Sequence, residues 1–364
     1  MSIYSLPKTM NRFSWWWWFW LFFIDPFSEE NPTPPQIMVL WSSRNSNWIK
    51  ANSLFWKRDK TILRQKNRTE LDGIIAGWYF DGKVMHDDIV LNSGKIVINR
   101  SKEGGSVNAK EDNWKYIFKT KEEDHTFLID NDMLKVNFNS SIAPKNDFTR
   151  PITKGRSYLG GLMSYSILKM NRLEFDGTID FSGKHQNVRG LGYFQKVTLD
   201  VPPPLWYWTT IFFEDGSMLK YFLPHEGAGI FRSGYTDKPF RGENTRVRVK
   251  REMEFFDAET KEVHFFKKIK IEKLFQKKSG LPYWKLKAKK RDKRISIELQ
   301  CYSRTCFRLE GSVLGVHFLS KAIYYNEYPT KVVKFKFKDK DYSRTLQQIG
   351  KGIGNTEHAW GILL

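Results

Sequence analysis

Strict alternation of polar and apolar residues is the feature that most limits how this chain can fold. Residues 246–250, 295–299 and 333–338 alternate at every step. Successive side chains of a β-strand point to opposite faces, so each segment is typical of a strand with one face on a core and the other in water. Turn signals such as Asp81-Gly82 and Asp215-Gly216 separate such segments.

Helical periodicity is scarce, and its best candidates are the short segments 160–169 and 341–349. The many short strands predict an all-β fold, a sandwich or a barrel, with few short helices. A hydrophobic content of 40% supports a packed core and excludes a wholly disordered chain. Two cysteines in 364 residues exclude a disulfide scaffold and a cysteine-rich metal protein.

The run SWWWWFWLFFI, residues 14–24, is the most apolar part of the chain. It has about half of the ~20 residues that a membrane-spanning helix needs. The sequence DPFSEE follows it, which is unlike a signal-peptide cleavage site. Successive tryptophans favour a strand over a helix. We therefore expect a strand buried on both faces, no transmembrane segment and a cytoplasmic location; an interfacial membrane anchor is the alternative.

Two parts of the chain echo each other. The aromatic strand at residues 18–20 (WFW) has a counterpart at 206–208 (WYW), and Gly190-x-Gly192 has one at Gly352-x-Gly354. Three prolines at residues 202–204 interrupt strand pairing between them. These echoes predict two β-units, residues 1–188 and 189–364. Chance similarity between aromatic strands is the alternative.

The clustered tryptophans are candidate ligand contacts. Rings on alternating sides of a strand line the interior when strands close into a barrel, and a barrel of about eight strands can hold one small ligand. The alternative is that the rings only fill two cores. The candidate ligand-binding residues are Trp16, Trp18, Trp20, Trp206, Trp208 and Trp360.

A carboxylate and an imidazole stand side by side at Glu357-His358, near the end of the sequence. Both groups can titrate near neutral pH when buried, so they are candidates for acid–base catalysis. Neighbours in a strand point to opposite faces, however, and would not share one cavity. The alternative is a closing strand with buried hydrogen bonds. The seven histidines lack metal-ligand spacing, and the Gly-x-Gly pairs lack a dinucleotide context. We expect no metal and no cofactor.

Positive charge is concentrated in the second half of the chain. The formal net charge is +20, and residues 241–344 contain 28 basic and 13 acidic residues. Strands that present lysine outward can bind a nucleic acid or an anionic membrane surface, or can simply keep an exposed strand soluble. A nucleic-acid or anionic-surface binder is therefore one alternative function, and a non-catalytic structural or interaction protein is another.

Three segments resemble the lipocalin-like superfamily that contains carotenoid 1,2-hydratase (hydroxyneurosporene synthase) and AttH-type proteins. Residues 11–17 (NRFSWWW) are similar to its early EWWY-type strand, 190–219 to its central Gly-x-x-Tyr segment, and 352–361 (GIGNTEHAWG) to its terminal strand. The resemblance implies two consecutive lipocalin-like (calycin) antiparallel β-barrels. It also implies a hydrophobic ligand, an isoprenoid, carotenoid or lipid, and, in an enzyme, a hydro-lyase reaction that adds water to a carbon–carbon double bond.

The resemblance also implies which residues carry proton chemistry. After Tyr193 the hydratases carry His-Asp-His-like residues, whereas this chain has Phe194-Gln195-Lys196. Gln195 cannot protonate an alkene, and Lys196 is cationic unless strongly desolvated. The catalytic candidates are therefore Glu357, His358 and Tyr193.

Overall fold

The computed structural model describes residues 3–6, 14–57, 59, 61–143, 148, 152–158, 163–200, 205–232, 234–235, 237, 246–248, 252–313 and 316–361. Within these ranges nearly all regular structure is β-strand, in two antiparallel sheets, so the all-β prediction is confirmed. In the same ranges there is one α-helix, α1 (Leu346–Ile349), and one short 3-10 helix, Ala228–Phe231. No helix in the described part of the chain is long and apolar enough to cross a membrane.

Ten strands of the first sheet close into a barrel. Its twelve strands, numbered in chain order, are β1 (Trp15–Ile24), β2 (Gln36–Arg44), β5 (Leu63–Arg64), β6 (Arg68–Phe80), β7 (Met85–Arg100), β8 (Gly104–Glu111), β9 (Trp114–Lys121), β10 (Asp124–Asp130), β11 (Leu134–Ile142), β12 (Ile152–Tyr158), β13 (Met163–Phe181) and β14 (Lys184–Leu199). The barrel closes because β11 pairs with β13 as well as with β10.

The second sheet is formed mostly by the second half of the chain, and it also contains one hairpin from the first half. Its fourteen strands are β3 (Trp48–Ala51), β4 (Leu54–Lys57), β15 (Leu205–Phe213), β16 (Met218–Gly227), β17 (Arg246–Arg248), β18 (Glu252–Phe256), β19 (Val263–Phe266), β20 (Lys268–Phe275), β21 (Pro282–Lys290), β22 (Lys293–Cys301), β23 (Thr305–Val313), β24 (Val316–Asp339), β25 (Tyr342–Thr345) and β26 (Gly352–Gly361). The β3–β4 hairpin pairs with β23 and so links the two halves.

Several sequence predictions can be compared with these elements. The predicted helix at 160–169 is wrong where the structure describes it, because residues 163–169 belong to the long strand β13. Only the last turn of the predicted helix at 341–349 is helical. The early motif at residues 11–17 lies partly outside the described residues. The division into units 1–188 and 189–364 stays a prediction; β14 continues through that point within the first sheet.

Three large apolar clusters of described residues account for the packing within and between the two sheets. The barrel core fills the first sheet, the second-sheet core lies inside the second sheet, and the inter-sheet core joins their facing outer surfaces. Strand β1 serves two of them, because Trp18 and Trp20 point into the barrel core while Phe19 and Leu21 point into the inter-sheet core. The prediction of a strand buried on both faces is confirmed.

The two aromatic strands singled out in the sequence pack against each other across the inter-sheet core. Phe19 of β1 lies 6.0 Å from Trp208 of β15, and Phe23 lies 5.2 Å from Phe212, as ring-centroid distances. Full burial of such a side chain stabilises a fold by about 1.5–3 kcal/mol. The inter-sheet core therefore fixes the outer faces of β1 and β15 against each other.

Candidate functional site

Two buried carboxyl groups face each other on the outer side of the second sheet. Strand β26 lies between β15 and β24, and the antiparallel register sets Glu357 directly opposite Glu327 on one side and Trp208 on the other. Directly opposed side chains have Cβ atoms about 4.5–5.5 Å apart and share one face of the sheet. The face that carries them looks toward the first sheet, where Trp208 joins the inter-sheet core.

Local sequence explains why this strand is so deeply placed. All ten residues of β26 are buried. A Cβ atom on Gly354 would lie 2.0 Å from the Thr210 carbonyl oxygen, so only glycine permits this close approach of β15 and β26. The glycine therefore fixes the position from which Glu357, three residues later, reaches the inter-sheet core.

Glu357 accepts two hydrogen bonds from aromatic side chains. Trp206 Nε1 donates to Oε2 at 2.8 Å, and the Tyr325 hydroxyl donates to Oε1 at 2.9 Å. Burial raises the pKa of Glu357 to about 7, and these two donors oppose the rise because they stabilise the carboxylate. Glu357 can therefore exchange a proton near neutral pH.

Glu327 also lies beside two donors, the Tyr325 hydroxyl and the Trp78 indole. Neither makes a hydrogen bond of normal geometry with its carboxyl oxygens. Burial raises the pKa of Glu327 well above the usual value, the charge of Glu357 raises it further, and the two donors oppose this rise. Two such close carboxyls cannot both ionise readily. Because only Glu357 of the two accepts hydrogen bonds of normal geometry, we assign the proton to Glu327 and the negative charge to Glu357.

Further buried polar atoms on the facing strands also lack partners among the described residues. They are Trp78 Nε1, Thr210 Oγ1, both amide atoms of Asn355, and Gln36 Oε1. Each unsatisfied buried group costs about 1–3 kcal/mol, so native proteins rarely collect several in one region. Buried polar atoms of the same kind also occur in the barrel core, at Nε1 of Trp20 and Trp41, so the carboxyl pair and not these atoms distinguishes this place.

Tyr193 approaches Trp208 from the first sheet. Its ring lies 5.3 Å from Trp208 and 6.5 Å from Phe19. Burial raises the pKa of Tyr193 well above its usual value, and the charge of Glu357 adds to this effect. Its hydroxyl therefore stays protonated and donates to Gln195 Oε1 at 3.2 Å. The structure thus brings Tyr193, Glu357, Trp206 and Trp208 together.

His358 lies on the other face of β26, in the second-sheet core, as strand alternation predicts. Its ring stacks on Tyr207 at 4.3 Å, and Lys273 Nζ donates to Nδ1 at 3.1 Å. Trp360 lies beside it at 5.0 Å and is covered by the Arg232 guanidinium at 4.0 Å. His358 and Trp360 are therefore separated from Glu357 by the sheet, and their predicted catalytic and ligand-binding roles stay predictions.

The predicted ligand-binding tryptophans of β1 lie inside the barrel, away from both Glu357 and His358. Trp16, Trp18 and Trp20 are fully buried in the barrel core. Trp20 illustrates the packing, with ring centroids 4.5 Å from Phe118 and 4.6 Å from Phe194. These rings fill the closed barrel on the far side of β1 from Glu357. Their role in ligand binding also stays a prediction.

Sequence reasoning missed Glu327, Tyr325 and Trp78. The available signal was weak: Glu327 is the single charged residue in the tyrosine-rich segment 322–330 (AIYYNEYPT). Charged residues are rarely fully buried unless they have a function or a partner. Its partner Glu357 is 30 residues away, and only the register of β24 with β26 brings the two together.

The basic strands pair lysines with acidic residues at some positions only, because Lys270 stands opposite Lys287 and Arg294 opposite Lys338. Lys285 stands opposite Glu272 on one side and Glu298 on the other, and Lys334 Nζ lies 3.7 Å from Glu298. Pairs of this kind keep an exposed sheet soluble, and they do not favour the nucleic-acid alternative. Among the described residues there is also no group of three or more potential ligands that could hold a metal ion.

Comparison with known proteins supports the fold. No known family matches the chain, and no curated protein matches its sequence. A crystal structure from Nitrosomonas europaea assigned as AttH superimposes with a TM-score of 0.50 over 98% of both chains at 12% identity. Kievitone hydratase from Nectria haematococca gives a TM-score of 0.39 over 95% of this chain and 88% of its own at 10% identity, too low to support an inference. The AttH likeness shows that the two chains share a fold, and it shows nothing about a ligand.

Proposed function

We propose that the protein binds an apolar small molecule between its two sheets and adds water to one of its carbon–carbon double bonds. The observation that carries the proposal is the opposed pair Glu327 and Glu357, buried among aromatic rings and polar atoms without partners. A buried carboxyl pair with one proton provides an acid and a base in the same place. A purely structural core has no need of this arrangement, which is costly to bury.

Aromatic side chains supply the contact surface for such a ligand. Tyr193 comes from the first sheet, and Trp208 and Tyr325 come from the second. Trp206 is only partly buried and packs beside Trp15 and Ile323, so it marks the margin of the inter-sheet core from which a ligand would enter. An elongated isoprenoid, a carotenoid or another unsaturated lipid matches a narrow, ring-lined contact between two sheets.

The proposed reaction divides the work between the two carboxyls. Glu327, which holds the proton, donates it to one carbon of the double bond and becomes a carboxylate. A water molecule bonds to the other carbon, and Glu357 accepts the proton that this water releases. The product is an alcohol. Transfer of the proton from Glu357 to Glu327 restores the starting state, so no other reactant is consumed.

The surroundings suit the cation that forms after the first step. The faces of Trp208, Tyr193 and Tyr325 attract a positive charge by about 0.5–2 kcal/mol each where water is excluded. The carboxylate of Glu357 lies on the same face and adds electrostatic stabilisation. This arrangement also explains why hydration needs neither Gln195 nor His358.

Native mass spectrometry of the purified protein, followed by organic extraction, tests binding. We expect an unsaturated apolar compound in wild type and less of it in Trp208→Ala. The extracted compound is then incubated with the protein in oxygen-18 water. We expect labelled alcohol with wild type and with the surface control Glu272→Gln, and almost none with Glu327→Gln or Glu357→Gln. Undiminished labelling in both site variants would refute the catalytic proposal, and binding unaffected by Trp208→Ala would refute the location.

A further inference from the structure

Lys196 is a fully buried amine inside the barrel core. It lies on β14 three residues after Tyr193, but its side chain points to the opposite face of that strand. The register sets it opposite Trp18, and its Nζ lies 5.9 Å from the Trp18 ring. The exposed fraction of the residue is 0%. It therefore belongs to a different environment from the carboxyl pair, on the other side of the first sheet.

A short N-terminal segment, residues 3–6, covers this amine. The Ser5 carbonyl accepts a hydrogen bond from Lys196 Nζ, and Trp18 Nε1 donates to the Ile3 carbonyl at 2.9 Å. The Tyr4 hydroxyl lies 2.7 Å from Thr120 Oγ1, and its ring stacks on the barrel core. The segment thus fills one end of the barrel with Tyr4 as its apolar anchor.

The amine has the properties of a nucleophile. Burial lowers the pKa of Lys196 to about 7, and the positive charge of Arg100 lowers it further. About half of the amine is then neutral at pH 7, whereas only about one in 2,500 exposed lysine side chains is neutral at that pH. Desolvation and a neighbouring cation are the two means by which proteins activate a lysine for attack on a carbonyl group.

We propose that Lys196 binds an apolar aldehyde covalently as an imine, with the ligand chain replacing residues 3–6 at the end of the barrel. The amine adds to the aldehyde carbon to give a carbinolamine. Loss of water then forms the carbon–nitrogen double bond, and no oxidant or reductant is needed. This site is separate from the proposed hydration site and does not depend on it.

The surroundings of the amine suit such an adduct. A protonated imine is a cation, and the Trp18 face beside Nζ attracts a cation. The position now filled by Tyr4, between Phe118 and the barrel wall, is apolar and can accept a hydrocarbon chain. The hydroxyl group of Thr120, which contacts the Tyr4 hydroxyl while residues 3–6 are in place, lies at the same end of the barrel and can bind the departing water once Tyr4 has left.

Reductive trapping tests the proposal with dodecanal as the probe. The full-length protein is treated with dodecanal and sodium cyanoborohydride at pH 7, and labelled peptides are mapped by mass spectrometry. We expect Lys196 to be labelled at least about ten-fold faster than exposed lysines such as Lys287, because far more of its amine is neutral. Tyr4→Ala should accelerate labelling at Lys196 alone, and Lys196→Met should remove this fast label.

Three results would overturn the proposal. Labelling distributed over the surface lysines with no preference for Lys196 would exclude an activated amine. An unchanged rate in Tyr4→Ala, in a variant whose circular dichroism matches wild type, would show that residues 3–6 do not occupy the ligand position. The third result is that dodecanal does not label Lys196 while dodecanoic acid binds to the protein and this binding is lost in Lys196→Met. It would show that the site holds a carboxylate by charge and does not hold an aldehyde by a covalent bond.

Discussion

The raised pKa of Glu357 makes the stability of the protein depend on pH. Burial raises the pKa of Glu357 in the folded protein to about 7, from 4.5 in the unfolded chain. A carboxyl with a raised pKa binds its proton more tightly when folded. Its contribution to stability is therefore fully present below about pH 4.5 and is lost as pH rises through about 7.

The size of this effect follows from the shift. Each pKa unit corresponds to about 1.4 kcal/mol, so a rise from 4.5 to about 7 corresponds to about 3 kcal/mol of lost unfolding free energy. Burial lowers the pKa of His125 and His264, which makes stability rise with pH over part of the same range. The histidine contribution cancels when the unfolding free energy of Glu357→Gln is subtracted from that of wild type, because both proteins contain the two histidines.

Urea unfolding followed by tryptophan fluorescence at pH 5, 6, 7 and 8 measures this difference. Glu357→Gln keeps the size of the side chain but cannot ionise, so its unfolding free energy should fall about 2.5 kcal/mol less than that of wild type between pH 5 and 8. The control Glu272→Gln changes an exposed glutamate of β20 and should follow wild type. If Glu357→Gln and wild type gave parallel pH profiles, the raised pKa assigned to Glu357 would be wrong.

Three further substitutions test the packing around the site. Trp208→Ala removes a buried ring from the inter-sheet core and should cost about 3–5 kcal/mol in urea unfolding; a cost below about 1 kcal/mol would contradict the described packing. Gly354→Ala places a Cβ atom 2.0 Å from the Thr210 carbonyl oxygen and should cost about 1–3 kcal/mol, so an unchanged melting temperature would contradict the close approach. Lys334→Ala breaks an exposed ion pair with Glu298 and should cost less than about 1 kcal/mol; a larger loss would show that the basic strands matter for stability.

Sequence alternation was sufficient for the fold class and for part of the site. Period-two patterns and Gly-containing turns predicted the strands, and the same alternation placed Glu357 and His358 on opposite faces. Strand β1 was recognised as buried on both faces because every residue of 15–24 is apolar. These features depend only on neighbours along the chain, which a sequence displays directly.

The rest depends on contacts between distant segments. Trp206 and Trp208 lie on the outer face of the second sheet. The sequence could not predict this, because β15 carries aromatic residues on both faces. Glu327 becomes significant only when the β24–β26 register sets it opposite Glu357. The state of Lys196 likewise depends on its burial beneath residues 3–6, which no local pattern reveals.

The central claim is that Glu327 holds a proton beside the Glu357 carboxylate at neutral pH. Infrared difference spectroscopy measures this directly through the carbonyl stretch of a buried, protonated carboxylic acid. We expect this band at pH 8, about one unit above the pKa of Glu357, in wild type and in Glu272→Gln, and its loss in Glu327→Gln. A wild-type spectrum without the band at pH 8, or a band that persists unchanged in Glu327→Gln, would contradict the account.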